Sequence, residues 1–225
     1  MLKNLVLKDV VFKNLVRGVA ASAMAMVLGM GLATSAIAGP PFTVTVAGNI
    51  APATYAALVT SIGTVTFSAG TTFTCSSIRL HDTVNSGTAL TTLFQVTASS
   101  SSEWPGCKGG PLGTAFTALP SFPSAWTLTG TSGPDASGVT TGILGGIIVH
   151  VQDTGASGSL CHFDVSGSVS VQFDNATQNI TVLTANSALT TSGVSCLFPV
   201  NSTMTFSGSF HITDPSGVDY PIVIS

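Results

Sequence analysis

The chain has 225 residues, 44% of them hydrophobic but only 7% charged, with six basic and nine acidic side chains. Four of the bases, Lys3, Lys8, Lys13 and Arg17, precede residue 18; beyond residue 38 only Arg79 and Lys108 stand against eight acids, a net charge of −6. Two bases cannot neutralise a phosphate backbone or form a polybasic patch, which excludes nucleic acid and anionic lipid surfaces as partners. Disorder, which needs low hydrophobicity and high net charge, is excluded as well.

In chain order, the first element is a targeting segment. The N-terminal bases lead into an apolar Ala/Gly/Met-rich run from Gly18 to about Leu32, and small residues stand at Ala36 and Ala38. A basic region, an apolar region and an A-x-A-like site define a secretory signal peptide. This predicts cleavage after Ala38 and a mature domain over 39–225, exported to the extracellular space or the cell surface. A retained anchor is the alternative, because Gly18–Ala38 is long enough to meet the ~20 residues that span a bilayer. Its Gly and Ala content and the Gly39-Pro40-Pro41 that follows argue for processing.

Short strands come next. Phe42, Val44 and Val46 alternate with threonines, as do Val65 with Phe67 and Phe73 with Cys75. Alternation of apolar and polar residues marks a strand with one dry face. Only Ala51–Val59, after Pro52, reads as a short helix. Leu93–Val96 and Trp126–Leu128 read as further strands. The stretches Ser99–Pro111, Gly130–Gly138 and Gly155–Ser159 are rich in turn residues. Gly142–Val151 is a nearly continuous apolar run and reads as a central strand buried on both faces.

The clearest pattern is Cys161–Phe173. Cys161, Phe163, Val165, Val169, Val171 and Phe173 share one face, and His162, Asp164, Ser166, Ser168, Ser170 and Gln172 the other. Asp174-Asn175-Ala176-Thr177 then supplies a turn, so Cys161–Leu183 is expected to be a hairpin. Thr203–Thr213 is a last alternating strand. These elements predict an all-β, antiparallel sandwich or barrel. Two β subdomains meeting near 134–138 are the alternative arrangement.

All four cysteines, Cys75, Cys107, Cys161 and Cys196, follow residue 38. An even count behind an export signal favours disulfides. Of three pairings, Cys75–Cys107 and Cys161–Cys196 join sequence neighbours at similar separations. A zinc site built from all four has no C-x-x-C spacing to support it.

A set of motifs resembles an uncharacterised family of small secreted, β-rich, disulfide-containing proteins of actinobacteria. They are Phe73-Thr-Cys75, Trp104-Pro-Gly-Cys107 with Gly110-Pro-Leu-Gly113 and Leu119-Pro120, Val165-Ser-Gly-Ser-Val-Ser-Val-Gln-Phe-Asp-Asn-Ala-Thr177, Cys196, and the closing strand at Phe206–Thr213. The resemblance implies export and a β-rich fold, and carries no activity with it. A looser architectural likeness is to the neocarzinostatin-type Ig-like sandwiches, which hold an apolar ligand and carry two disulfides. Fold alone does not transfer that function.

No residue pattern specifies chemistry. There is no G-x-S-x-G to present an activated serine, and Glu103 is the only glutamate, so no motif sets two carboxylates in opposition. No cofactor or metal ligand set is expected. His162 and His211 both fall on polar strand faces and would meet only if their strands were neighbours. His150 interrupts an apolar run, and His81-Asp82 reads as a turn. Asn175, Asn179 and Asn201 head N-x-S/T sequons, which are glycan acceptors or turn chemistry according to the source. Trp104 and Trp126 adjoin loop-like segments and are the candidate ligand-contact aromatics; the favoured reading is that each covers the edge of the core beside a disulfide. The expected function is therefore non-enzymatic: a secreted or envelope-associated β protein that acts as a surface component or by binding, with an envelope glycan or a surface protein as partner. The alternatives are a carrier of an apolar small molecule between its sheets, and an envelope pore.

Overall fold

The computed structural model describes residues 39–154, 161–194 and 197–225. The expected signal peptide over 1–38 and Cys196 lie outside these. The described residues are nearly all β, as the alternation predicts, and they cluster as one compact unit. Among them no helix is long and apolar enough to cross a membrane.

Among the described residues fifteen strands follow one another. The first half contributes Phe42–Val46 (β1), Ala53–Ser61 (β2), Val65–Ser68 (β3), Thr72–Cys75 (β4), Arg79–Leu90 (β5) and Thr92–Ala98 (β6). Lys108–Gly109 (β7), Thr114–Pro120 (β8), Trp126–Ser132 (β9) and Val139–Asp153 (β10) come next. His162–Asp174 (β11), Asn179–Val194 (β12), Thr203–Ser207 (β13), Ser209–Thr213 (β14) and Ile222–Ile224 (β15) complete the chain.

All pairings are antiparallel, and they close on themselves twice around three long shared strands, β10, β11 and β12. One circuit runs β5, β6, β9, β10, β11, β12, β14, β2 and back to β5. The other leaves β10 through β8, β7, β4, β3 and β13 and returns at β12. Glycine makes the exchange of partners on β10 possible. The register of β10 shifts between Leu144 and Ile147, and Gly146 between them has φ +77°. Before this bulge β10 pairs with β9, and after it with β8. A bulge bends and twists a strand, here enough to serve two circuits.

The core follows the alternation. Val44, Phe73, Val84, Phe94, Phe163, Val171, Leu189 and Ile212 are buried at 1% exposure or less. Phe67 and Phe206 stack at 4.6 Å between ring centroids, and Phe73 packs edge-on against Phe116 and Phe163. The Cys75–Cys107 disulfide forms. Its separation of 32 residues corresponds to about 3–4 kcal/mol in the loop-entropy account. Cys161 is buried and is not a free thiol; its expected partner, Cys196, is outside the described residues.

Several expectations are corrected. Ala51–Val59 is not helical: it lies mostly within β2, because pairing to β5 and β14 overrides a local propensity that Pro52 only suggested. The run Gly142–Val151 is central but not buried on both faces, since Ile143 is 43% exposed. Its glycines hid an alternation that resumes after the bulge. Thr203–Thr213 is two strands, divided at Gly208. His81-Asp82 sits inside β5 rather than in a turn.

Candidate functional site

The sequence puts His150 and Gln152 on one face of β10, and His162 and Asp164 on one face of β11. Register decides whether those faces meet. Leu119, His150 and Asp164 stand in one row across β8, β10 and β11, and Thr117, Gln152 and His162 in the next. Adjacent strands bring such side chains within about 5 Å of one another. Ser101, in the 3-10 turn Ser101–Glu103, borders the same face. Together they line a cleft of about 420 Å³.

Within the cleft, His150 Nδ1 and Asp164 Oδ1 are hydrogen-bonded at 2.5 Å. Their side chains are 50% and 44% exposed, so the pair is solvated and accessible. Leu119, 48% exposed, supplies an apolar patch. The walls thus offer a carboxylate, two imidazoles, a primary amide and two hydroxyls around a small apolar surface. That inventory suits a hydroxyl-rich ligand, whose groups both donate and accept.

The other two histidines hold structure. His81 Nε2 pairs with Glu103 Oε1 at 2.7 Å, tying the 3-10 turn to β5. Burial of Glu103 would raise its carboxyl, but the Ser100 backbone N–H and His81 outweigh it and hold the group below the usual range. The nitrogens of His211 engage Asn179 Oδ1 and Asp219 Oδ1, each at 2.8 Å. His162 and His211 are not neighbours: His162 pairs with Val194 at one end of β12, and His211 with Asn179 at the other. Among the described residues no three His, Cys, Asp or Glu side chains are grouped to hold a metal ion.

Trp104 and Trp126 are 4% and 3% exposed. Their indole N–H groups donate to Ser99 Oγ and to the Ser121 carbonyl. Both face inward and, with Leu80, Phe206 and Phe210, line an apolar cavity of about 30 Å³. They sit in the core rather than exposed in loops. Two of the three sequons are engaged in structure. The Asn175 amide donates to the Ile224 carbonyl and accepts from its N–H, each at 2.9 Å, and Asn179 is bonded to His211. Asn201 is exposed in a turn with φ +60°.

Sequence reasoning missed Thr117, Gln152 and Asp164 as partners of His150 and His162. The alternation of β11 already placed His162 and Asp164 on its wet face. The β10–β11 register was the missing quantity. No protein-family model matches the chain, and no curated protein or solved structure is found to be similar to it.

Proposed function

We propose that this is an exported, non-enzymatic binding protein whose ligand is a neutral, hydroxyl-rich glycan of the cell envelope, held in the cleft between the 3-10 turn and strands β8, β10 and β11. The observation that carries the reading is the cleft itself: converging polar groups of both hydrogen-bonding senses gathered on one outer face. The Cys75–Cys107 disulfide is compatible with an oxidising compartment outside the cytoplasm.

A carrier of an apolar molecule draws less support. Ligand pockets of small-molecule carriers run to several hundred Å³, and the inner cavity, at about 30 Å³, holds little more than a water. A pore draws less still. Transmembrane barrels face apolar side chains outward and polar ones inward, whereas the alternation here buries Phe, Val and Ile and leaves Thr, Ser and Asp outside.

Co-sedimentation with purified, protein-free envelope glycan tests the proposal. The wild-type chain is expected in the pellet, and Gln152→Ala combined with Thr117→Ala to weaken retention at least tenfold. Both side chains face outward, so the fold is expected to keep its melting temperature within a few degrees. Equal retention of variant and wild type would remove the cleft from the account.

A further inference from the structure

The cleft holds three titratable side chains, Asp164, His150 and His162, in a protein with few charges anywhere. Among the described residues their surroundings add no fourth. β8 contributes Thr117 and Leu119, and the residues of β12 opposite Asp164 and His162 are Ser192 and Val194. The 3-10 turn contributes Ser101, while its Glu103 is turned to His81. Neither Arg79 nor Lys108 lines the cleft. With both imidazoles neutral the cleft therefore carries one negative charge, from Asp164. With both protonated it carries one positive charge, because His150 then neutralises the Asp164 it already touches. His162, in the row with Gln152 and Thr117, is left as an unneutralised cation flanked by hydrogen-bond donors.

We propose that the cleft selects its glycan by charge according to pH, accepting neutral sugars and rejecting acidic ones above neutrality, and seating the carboxylate of an acidic sugar against His162 in acid. The proposal rests on the cleft being a glycan site. Imidazoles exchange their proton between about pH 5 and 8, the range an exported protein meets outside the cell. A change of two unit charges, met at about 6 Å in a water-rich setting, alters the affinity of a monoanion by roughly tenfold to thirtyfold. Added salt weakens it.

The experiment titrates glucuronate and glucose into the full chain at pH 8 and pH 5 in low salt, following imidazole signals by NMR. Glucuronate is expected to bind at least about tenfold more tightly at pH 5 than at pH 8, with glucose changed less than about twofold. His162→Gln is expected to bring glucuronate affinity at pH 5 about halfway, on a logarithmic scale, back towards its pH 8 value, because His150 still neutralises Asp164 there. Glucuronate binding equal at both pH values, with glucose binding intact, would overturn the charge selection and leave the glycan site standing. Binding of neither sugar at either pH would overturn both.

Discussion

Asp82 is the residue whose chemistry departs furthest from its ordinary behaviour. It occupies an inward position of β5, between Leu80 and Val84, and is 4% exposed. Burial raises its carboxyl from 3.8 to about 7, against the opposing effect of backbone N–H groups at Thr83 and Gln95. Between about pH 4 and 7 the folded protein thus keeps a proton that the unfolded chain has released. Stability falls as pH rises through that window, and the loss is complete above it. The shift corresponds to a loss on the order of 4 kcal/mol at most. Asp82→Asn keeps the acceptor oxygen and removes the ionisation. Urea unfolding is expected to show the variant close to wild type near pH 3.5 and more stable by a few kcal/mol at pH 8. A variant equally destabilised at both would contradict the burial account.

At the scale of elements, the last strand is held by side chains that imitate a neighbouring strand. β15 pairs only with β1, and its other edge faces the turn between β11 and β12. There Gln178 donates to the Ile222 carbonyl at 3.0 Å and accepts from the Ile222 N–H at 2.8 Å, and Asn175 does the same for Ile224. Gln178 is 8% exposed, so truncating it strands two buried backbone groups. Gln178→Ala is expected to cost about 2–4 kcal/mol and to speed amide exchange at Ile222 by a comparable factor. The exposed Val223→Ala, measured beside it, should stay within about 0.5 kcal/mol of wild type. Exchange at Ile222 unchanged in Gln178→Ala would contradict this role.

Strands with a clean period of two were legible in the sequence. β1, β11 and β13 read directly from residues such as Val44, Phe163 and Phe206. What was not legible depended on pairing. β2 reads as a helix until β5 and β14 flank it, and β10 reads as doubly buried because Gly142, Gly145 and Gly146 carry no side chain to show which face is wet. Gly167 sits at φ +136°, where an added Cβ would meet the Ala188 carbonyl oxygen at 2.2 Å. The sequence shows a glycine within the alternation there, and not which strand presses against it. The cleft was half legible for the same reason. Its residue types were in view, and the register that gathers them was not.

For the whole molecule, double closure answers the scarcity of charge. Every strand except β15 has at least two partners, and β15 is capped by Asn175 and Gln178. Unpaired edges are templates for aggregation, and a surface of Ser and Thr repels its neighbours only weakly. Pairing nearly every edge supplies the protection that charge supplies elsewhere. It also leaves exposed the outer face of β8, β10 and β11, under the 3-10 turn, which is the proposed glycan-binding face. Backbone NMR shift mapping with soluble envelope-glycan fragments tests that claim most directly. The account predicts saturable shifts clustered at Thr117, His150, Gln152, His162 and Asp164. Shifts centred instead on Trp104 and Trp126 around the inner cavity, or none at saturating fragment, would contradict it.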